Sequence, residues 1–472
     1  MIYSGERGHE KVSDIKIAYI GGGSRGWAWG LMSDILSFDD ISGRVSLYDI
    51  DRAAAERNEI IGNKFNGAKG AKTHWDYSVA DTLEESLCGA DFVIISIMPG
   101  TFDEMESDVH APEKYGIYQS VGDTVGLGGI IRALRTAPMF ETIGKAIKKY
   151  CPKAWVINYT NPMTLCVKTL YRVFPEIKAF GCCHEVFGTQ AFLTYTLKEI
   201  YGIDGVDRKE IKTEVVGINH FTWITKAQYR NIDLLAGYKK FVEKYAETGY
   251  RPEGDDKTEN WLKFPGSTGH RVKMDLFRRY GYIAAAGDRH LAEFCPGNWY
   301  LKDPETVKKW QFTLTPVSYR KEDLKARYKR SDDLISGKEE VALANTGEEG
   351  VMQIRAILGL SDLVTNVNMP NRGQILNLPL GAVVETNAAF SLGKVNPVCT
   401  DGIPKEIYSL VSRVVAEQEA LDKAIADRDL DEAFAVFIAD PQMRTGLENA
   451  RELFDTMINN TKKYLSEYFK GE

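Results

Sequence analysis

The stretch IKIAYIGGGSRG, residues 15–26, decides the fold of this chain. Its apolar first half predicts a short buried strand, and its glycines match the pattern G-x-G-x-x-G at Gly21, Gly23 and Gly26. An amphipathic segment at residues 27–36 predicts a helix that begins directly after the last glycine. A strand, a glycine turn and a helix in this order are typical of a dinucleotide-binding fold.

A second predicted strand, residues 45–49, ends in Asp49. In dinucleotide-binding folds the glycines let the backbone approach a pyrophosphate, and an acidic residue at this place accepts a hydrogen bond from a ribose hydroxyl. A carboxylate there disfavours a 2′-phosphate, so the pattern predicts NAD rather than NADP. A glycine turn in a nucleotide-free α/β domain is the alternative. The predicted cofactor-binding residues are Gly21, Gly23, Ser24, Gly26 and Asp49.

Strands and helices alternate through the first half of the chain. A helix is predicted at residues 52–65, and further apolar runs predict strands at residues 92–97, 154–158 and 177–180. This alternation predicts an α/β fold whose N-terminal part is a Rossmann-type, doubly wound parallel sheet with helices on both faces.

The second half of the chain is less regular. Strands are predicted at residues 213–217 and 364–367, and long helices at residues 405–427 and 446–469. We therefore predict a second, mixed α/β domain packed on the first. A boundary near residues 195–210 divides the chain into domains at residues 1–200 and 201–472.

The composition is that of an ordinary globular protein. The 472 residues are 44% hydrophobic and 26% charged, and a net charge of −7 without blocks of like charge argues against nucleic-acid or membrane-surface binding. The chain's start lacks the apolar core of a signal peptide, and no apolar run is long enough for a membrane span. Seven scattered cysteines favour a reducing compartment over a disulfide framework. We therefore expect a cytoplasmic protein.

Two strand ends carry residues that can hold a metal. Cys183 and His184 follow the strand predicted at residues 177–180, and Asn219 and His220 follow another candidate strand. A thiolate and an imidazole brought together can bind a divalent metal, and ligand softness alone would favour zinc. The alternative is that Cys183 is a buried cysteine and His220 a core histidine.

Other polar residues cluster where ligands bind in open α/β folds. Asn161 lies in the run NYTNP, residues 158–162, after the fourth predicted strand, and Asp123 lies in a glycine-rich stretch at residues 122–135. A third group, residues 287–290, contains Asp288 and Arg289. Each group could also be a solvated loop or a helix start.

The motifs taken together resemble glycoside hydrolase family 4, and the resemblance covers essentially the whole chain. The motifs recur there in the same order: GGGS at residues 21–24, NYTNP at 158–162, Cys-His-x-Val at 183–186, Ile-Asn-His at 218–220 and VNMPN at 367–371. Within the family the chain is most similar to the α-galacturonidases, because α-glucosidase and α-galactosidase relatives usually carry Ser or Gly where Glu185 stands. The resemblance implies a C-terminal domain like that of lactate dehydrogenase.

The resemblance also implies a redox mechanism in place of hydrolysis by two carboxylates. Bound NAD⁺ takes a hydride from C3 of the sugar, which acidifies the proton at C2. Mn²⁺, bound at the positions of Cys183 and His220, stabilises the resulting charge. A base removes the C2 proton, an acid protonates the departing oxygen, water adds, and the hydride returns, so that NAD is regenerated.

The family assigns further roles by position. His184, which follows the metal cysteine, is the predicted acid for the leaving group, and its ordinary pKa near neutrality suits it to this role. The predicted base is one of Tyr280, Tyr282 and Asp288, with a tyrosine preferred. Arg289 is predicted to bind the uronate carboxylate through a bidentate pair, and Glu185 could orient an arginine. The predicted substrate-binding residues are Asn161, Asp123, Arg289 and Asn219.

Several alternatives stay open. The substrate could be that of an α-glucuronidase, α-galactosidase or α-glucosidase of the same family. The chain could also be a plain NAD-dependent sugar-acid dehydrogenase or a non-catalytic NAD-binding regulator. The predicted partner is an α-uronide, with neither nucleic acid nor membrane, and the predicted assembly is a homodimer or homotetramer.

Overall fold

A computed structural model describes residues 11–252, 266–344 and 346–469. Most of the amino-terminal stretch that we interpreted as lacking a signal peptide lies outside these residues. Among the described helices, none has both the length and the apolar character needed to cross a bilayer.

Six parallel strands form the centre of the molecule. They are β1 (Val12–Ile20), β2 (Ile41–Tyr48), β3 (Trp75–Val79), β4 (Phe92–Ile95), β5 (Trp155–Asn158) and β6 (Lys178–Gly181). Their spatial order is 3-2-1-4-5-6, which is the Rossmann order. Residues 15–20 of β1 are buried throughout, because Ile17 and Tyr19 face one hydrophobic core while Ala18 and Ile20 face the other. A strand covered on both sides requires a continuous apolar run. The predicted fold class is confirmed.

Helices cover both faces of this sheet. One face packs against α1 (Trp27–Ile35), α2 (Arg52–Phe65) and α14 (Gly350–Ile357). The other face packs against α3 (Leu83–Leu87), α5 (Gly126–Tyr150) and α6 (Met163–Val173). The helix predicted at residues 52–65 has the observed bounds of α2.

Three strands from the second half extend the same sheet. β11 (Leu363–Pro370) lies antiparallel beside β6, and β12 (Val383–Ser391) and β13 (Lys394–Pro397) continue outward. Val367 and Met369 of β11 share a core with Phe180 of β6. The sheet is therefore mixed, not purely parallel, and it crosses the predicted boundary near residue 200. The division at residue 200 remains a prediction.

A smaller antiparallel sheet stands beside the large one. It contains β7 (Lys212–Ile218), β8 (Phe221–Tyr229), β9 (Ile232–Asp233) and β10 (Ile283–Ala284). Around it lie α7 (Glu185–Tyr201), α8 (Leu234–Tyr245), α9 (Arg271–Tyr280), α10 (Asp288–Phe294), α11 (Gly297–Tyr300) and α12 (Pro304–Lys309).

The remaining helices close the molecule. They are α4 (Phe102–His110), α13 (Val317–Ser336), α15 (Lys405–Asp427), α16 (Leu430–Ala439) and α17 (Leu447–Thr461), with short 3₁₀ turns at Ala111–Tyr115, Arg208–Glu210, Lys462–Tyr464 and Ser466–Phe469. The helix predicted at 405–427 has the observed bounds of α15. The helix predicted at 446–469 ends as an α-helix at Thr461 and continues only as 3₁₀ turns.

Candidate active site

Parallel strands bring their carboxyl ends to one edge of the sheet, and the predicted site residues follow these ends. The glycine turn follows β1, Asn161 follows β5 and Cys183 follows β6. Open α/β sheets bind their ligands outside this edge.

The glycine turn is shaped for close backbone approach. Gly21 has a φ of +91°, and a Cβ there would lie 2.0 Å from the carbonyl oxygen of Ser96. The Ser24 amide donates to the Gly21 carbonyl at 3.0 Å. Gly26 directly precedes α1, and no side chain among the described residues caps the first turn of that helix. Its amide groups can therefore serve a phosphate group.

Asp49 connects the end of β2 to the glycine turn. Its Oδ2 accepts a hydrogen bond from the Gly23 amide at 2.9 Å, and its Oδ1 accepts one from the Asp51 amide at 2.9 Å. Burial raises the pKa of Asp49, while these two amides oppose the rise. The five predicted cofactor residues thus lie together, and their arrangement fits a dinucleotide.

Asp123, His220 and His290 form a cluster that could hold a metal ion. One ligand atom from each residue lies within 4.8 Å of the others. The imidazole rings of His220 and His290 stack with their centroids 4.1 Å apart, and His220 Nδ1 lies 3.1 Å from Thr124 Oγ1. One carboxylate oxygen and two imidazole nitrogens are donors that suit Mn²⁺ as well as zinc.

Charge and burial favour the protonation states of His220 and Asp123 that bind a cation. Burial and the neighbouring His290 lower the pKa of His220 to about 3, so its ring is neutral near pH 7. Burial opposes ionisation of Asp123, but His290, Arg132 and His220 outweigh it and hold the pKa of Asp123 below its ordinary value. A neutral imidazole and an ionised carboxylate are the ligand forms of these residues.

Glu293 fixes the loop that carries Asp123. Its Oε1 accepts hydrogen bonds from the amides of Val121 and Gly122 at 2.7 and 2.9 Å. Burial raises the pKa of Glu293 to about 7.

Buried polar atoms without a partner surround the cluster. Among the described residues, Asn161 Oδ1, Asn219 Oδ1, Arg132 Nη1 and His290 Nδ1 have no hydrogen-bond partner. Asn161 Nδ2 lies 3.4 Å from Asp123 Oδ2, and Arg132 Nε donates to the Asn161 carbonyl. Buried polar groups are normally satisfied, so these atoms mark a place where a polar ligand would complete the bonding.

Cys183 lies close by but outside the cluster of three. Its thiol is buried, and burial with the nearby carboxyl groups of Glu385 and Glu185 raises its pKa, while the Asn219 side chain opposes the rise. The cluster includes His220 and, within the described part of the chain, does not include Cys183. Cys183 as a metal ligand stays a prediction. Cys182 donates to Gln353 Oε1 at 2.9 Å, as expected of a buried neighbour.

His184 stands at the start of α7 with its side chain half exposed. Its Nδ1 lies 3.1 Å from Glu348 Oε1, and its ring centroid lies 6.1 Å from that of Trp27. The hydrogen bond to Glu348 raises the pKa of His184, and burial opposes the rise. Since Glu348 faces Nδ1, Nε2 is the ring nitrogen on the side away from this glutamate.

Glu185 lies next to the cluster, and Arg289 precedes His290 in the chain. Glu185 Oε2 accepts from the Gly287 amide at 2.5 Å, and its Oε1 lies 3.6 Å from His290 Nε2. Burial opposes its ionisation, but His290, His220 and the Gly287 amide bring the pKa of Glu185 to about 2. Arg289 Nη1 donates to Thr315 Oγ1 at 2.6 Å, and the Glu185 charge acts on its guanidinium.

The structure does not place the predicted bases in this group. Both Asp288 oxygens accept amide hydrogen bonds at 3.1 Å, from Val272 and Lys273, and so cap the start of α9. Tyr280 packs edge-on against Trp223 with centroids 6.2 Å apart, and Tyr282 borders the same hydrophobic cluster. The packing of both tyrosines is thus with the cluster around Trp223, while Asp123, His220 and His290 form a separate polar group.

Charged residues near the site that the sequence analysis missed include Glu348, Glu385 and Lys273. Glu348 faces His184. Glu385 accepts from Asn366 Nδ2 at 2.5 Å and Asn219 Nδ2 at 3.3 Å, and burial raises its pKa to about 7. Lys273 is buried with its Nζ 2.5 Å from Thr189 Oγ1, and burial lowers its pKa to about 8. Glu385 is a charged residue inside the mostly apolar segment VVETNAAF, residues 383–390, and this position could have indicated a functional role.

Known proteins resemble the chain across both halves. The sequence pattern of the family 4 glycosyl hydrolases matches residues 16–199, and that of their C-terminal domain matches residues 215–443. An α-galacturonidase of Thermoanaerobacterium saccharolyticum is 63% identical over 455 residues, which cover 96% of this chain and 97% of the relative.

Solved structures share the fold. A Bacillus subtilis protein that is 52% identical superposes with a TM-score of 0.89, over 94% of this chain and all of that one. A 6-phospho-α-glucosidase from gut microorganisms, solved with NAD and Mn²⁺, is 19% identical, with a TM-score of 0.77 over 96% of this chain and 99% of its own. The two sequence patterns together account for most of the chain, and the chain therefore belongs to family 4 of the glycosyl hydrolases.

Proposed function

We propose that this enzyme hydrolyses α-galacturonides with the help of NAD⁺ and a divalent metal, Mn²⁺. The observation that carries the proposal is 63% identity, over nearly the full length of both chains, to an α-galacturonidase. The glycine turn with Asp49 and the cluster of Asp123, His220 and His290 support the use of both cofactors.

The chain's own residues would hold these groups as follows. The turn at Gly21–Gly26 and Asp49 would hold NAD⁺, and His220 would hold the metal together with Asp123 and His290 or with Cys183. When bound, NAD⁺ would supply a reversible hydride acceptor for C3 of the sugar, and the metal would supply positive charge that favours loss of the proton at C2.

His184 is the proposed acid that donates a proton to the leaving oxygen. The neighbouring Glu348 favours the protonated imidazole, which is the form that can donate. Because Glu348 faces Nδ1, the proton would leave from Nε2.

Arg289 is the proposed partner of the uronate carboxylate. Thr315 takes one of its five N–H donors, so a fork remains for a planar carboxylate. Glu185 would orient this arginine, since its charge acts on the guanidinium from beside His290.

The base that removes the C2 proton is proposed among Tyr280, Tyr282 and Asp288, on the family's pattern alone. Each Asp288 oxygen accepts an amide hydrogen bond that caps α9, which ties this carboxylate to the helix and favours a tyrosine as the base. Variants Tyr280→Phe and Tyr282→Phe, assayed for exchange of the C2 proton, would identify the base.

One assay tests the proposed function. The enzyme with NAD⁺, Mn²⁺ and reductant is given the p-nitrophenyl α-glycosides of galacturonate, glucuronate, galactose and glucose. Galacturonide cleavage without net NADH, and with deuterium placed at C2 of the product in D₂O, supports the proposal. Net NADH with intact glycoside would instead indicate a dehydrogenase. Equal rates on the neutral galactoside would refute the uronide specificity.

We also propose that the enzyme is a cytoplasmic homodimer or homotetramer. All seven cysteines are free thiols, which supports a reducing compartment. Light scattering after size exclusion would give the subunit number.

A further inference from the structure

Helix α13, from the second half of the chain, passes the glycine turn of the first half. Near its start Lys321 Nζ donates to Asp103 Oδ1 of α4 at 3.0 Å, and near its end Ser331 Oγ accepts from Arg57 Nε of α2 at 3.1 Å. α4 follows β4 and α2 follows β2, and β1 lies between these two strands in the sheet. A helix that runs from α4 to α2 therefore crosses the end of β1, where the glycine turn begins.

Arg327, in the middle of α13, contacts this turn. Its Nη1 donates to the Arg25 carbonyl at 2.8 Å. A Cβ at position 26 would clash with the same nitrogen, so Gly26 leaves the room that the guanidinium occupies. The next residue of the helix is also engaged, because the guanidinium carbon of Arg25 lies 3.9 Å from the centroid of the Tyr328 ring. The last glycine of the motif thus admits a cation from α13 next to the first turn of α1.

Asp323 holds the guanidinium of Arg327 in its orientation. It lies one turn earlier on α13, and its Oδ2 accepts from Arg327 Nε at 2.7 Å. An arginine side chain has five N–H donors. The contacts with Asp323 and the Arg25 carbonyl use two of them and, among the residues that the structure describes, leave three for a ligand.

The other carboxyl groups in this region have partners of their own. Asp34 and Glu348 line a cavity of about 390 Å³ together with Arg327. The Thr346 hydroxyl donates to Asp34, and His184 Nδ1 lies 3.1 Å from Glu348. Asp323 is therefore the carboxylate that pairs with Arg327 in the described part of the chain, and this pair is about half exposed.

The group that a dinucleotide places at such a turn is a doubly charged pyrophosphate. The amides at the start of α1 can donate to its oxygens, but amides carry no net charge. A guanidinium supplies that charge, and its planar fork matches the spacing of phosphate oxygens.

We propose that Arg327 binds the pyrophosphate of NAD⁺ at the glycine turn, as a cofactor-binding residue that the second half of the chain supplies. The inference rests on the use of NAD⁺ in the proposed function and is independent of the sugar. The cofactor is then held from both halves of the chain, by backbone amides of the turn and by the guanidinium on α13.

Titration calorimetry of the full chain, without metal or substrate, tests this role. Arg327→Gln should raise the Kd of NAD⁺ and of ADP-ribose about tenfold, because each loses a charge-assisted hydrogen bond to its pyrophosphate. The Kd of adenosine, which has no phosphate, is measured by competition with ADP-ribose and should change less than about twofold. Arg327→Lys keeps the charge without the fork and should raise the Kd of NAD⁺ only about threefold.

Lys325→Gln is the matched control. It removes a positive charge from the same helix, but Lys325 is 72% exposed and pairs with Glu322 at 2.7 Å. The Kd of NAD⁺ should stay within about twofold of the wild-type value, since exposed charges are screened. The thermal midpoint of unliganded Arg327→Gln should lie within about 2 °C of wild type, because the replaced side chain is about half exposed.

Three outcomes would overturn the inference. An unchanged Kd of NAD⁺ in Arg327→Gln would remove the guanidinium from the cofactor. Equal weakening of ADP-ribose and adenosine would show that Arg327 only supports the shape of the turn. An equal loss in Lys325→Gln would assign the effect to the overall charge of α13. Binding of NAD⁺ and cleavage of galacturonides by the wild-type enzyme test the proposed function separately from Arg327.

Discussion

Cys182 and Cys183 are neighbours in sequence, yet their thiols have different surroundings. Cys182 donates to Gln353, whereas the thiol of Cys183 lies among Glu385, Glu185 and Asn219. If Cys183 is a metal ligand, Cys183→Ser should weaken Mn²⁺ binding about 10- to 100-fold, and Cys182→Ser should leave it nearly unchanged. Electron paramagnetic resonance of free Mn²⁺ measures this affinity without a turnover assay.

The variant His290→Ala tests the alternative set of metal ligands, in which His290 takes the place of Cys183. The cluster of Asp123, His220 and His290 predicts a similar loss of Mn²⁺ affinity when His290 is removed. Retained affinity in Cys183→Ser together with a loss in His290→Ala would show that the ligands are a carboxylate and two imidazoles.

Asp49 serves both the glycine turn and the predicted ribose contact. Asp49→Ala should weaken NAD⁺ binding by about 1–3 kcal/mol, because it leaves hydrogen-bond partners unpaired. If the variant only disturbs the glycine turn, it should weaken the binding of NAD⁺ and NADP⁺ alike, since Gly23 donates to this carboxylate. If the variant removes a ribose contact, it should weaken NAD⁺ binding more than NADP⁺ binding, so the preference for NAD⁺ over NADP⁺ should narrow. Isothermal titration with both dinucleotides distinguishes the two, and an unchanged preference would place Asp49 away from the ribose.

At the scale of an element, Glu104 anchors the start of α4 and joins it to the 3₁₀ turn at Lys462–Tyr464. Its carboxylate accepts from the Thr101 amide at 2.7 Å and pairs with Lys463 at 2.7 Å. Burial opposes its ionisation, but Lys463 and Thr101 bring the pKa of Glu104 to about 2. The ionised form is therefore the one that stabilises the fold, and its contribution is lost as the pH falls from its ordinary pKa towards about 2.

Glu104→Gln should lower the free energy of unfolding by about 1–2 kcal/mol near pH 7, the size of a lost cap with a partly screened ion pair. Urea titrations at about pH 7 and about pH 4 should show the difference between wild type and variant shrinking at the lower pH. Glu106→Gln on the same helix is the control, since this carboxylate is exposed and its loss should cost less than about 0.5 kcal/mol. If the difference in free energy of unfolding between wild type and Glu104→Gln grows as the pH falls, the ionised form of Glu104 is not the stabilising one.

Elements also show what sequence patterns can predict. The strand at residues 15–20 was predictable because its burial on both faces requires a continuous apolar run. The helices at 52–65 and 405–427 were predictable because burial of one face imposes a helical period on the apolar residues. The roles of Asp288 and Glu348 were not. Asp288 caps α9 from a different helix, and Glu348 reaches His184 from a segment far along the chain. Such contacts depend on how the elements pack, and the hydrophobic periodicity of a local segment does not predict them.

At the scale of the whole molecule, the large sheet joins the two halves of the chain. Residues 1–200 alone would leave the β6 edge without β11 and the core around α5 without α15, α16 and α17. We predict that a fragment of residues 1–200 aggregates, or unfolds without a sharp thermal transition. Circular dichroism during heating, with the full chain measured in parallel, tests this prediction. A cooperative transition in the fragment would support two independent domains divided near residue 200.

The position of β11 in the chain also determines how long the edge of β6 stays uncovered during synthesis. β6 ends at Gly181, and the strand that covers its edge ends at Pro370, so roughly 190 further residues must be made before the sheet can close. At about 5–20 residues per second, a ribosome needs on the order of 10–40 s for this segment. Throughout that interval the nascent chain presents an open strand edge beside Phe180, which is a suitable target for chaperones that bind apolar segments.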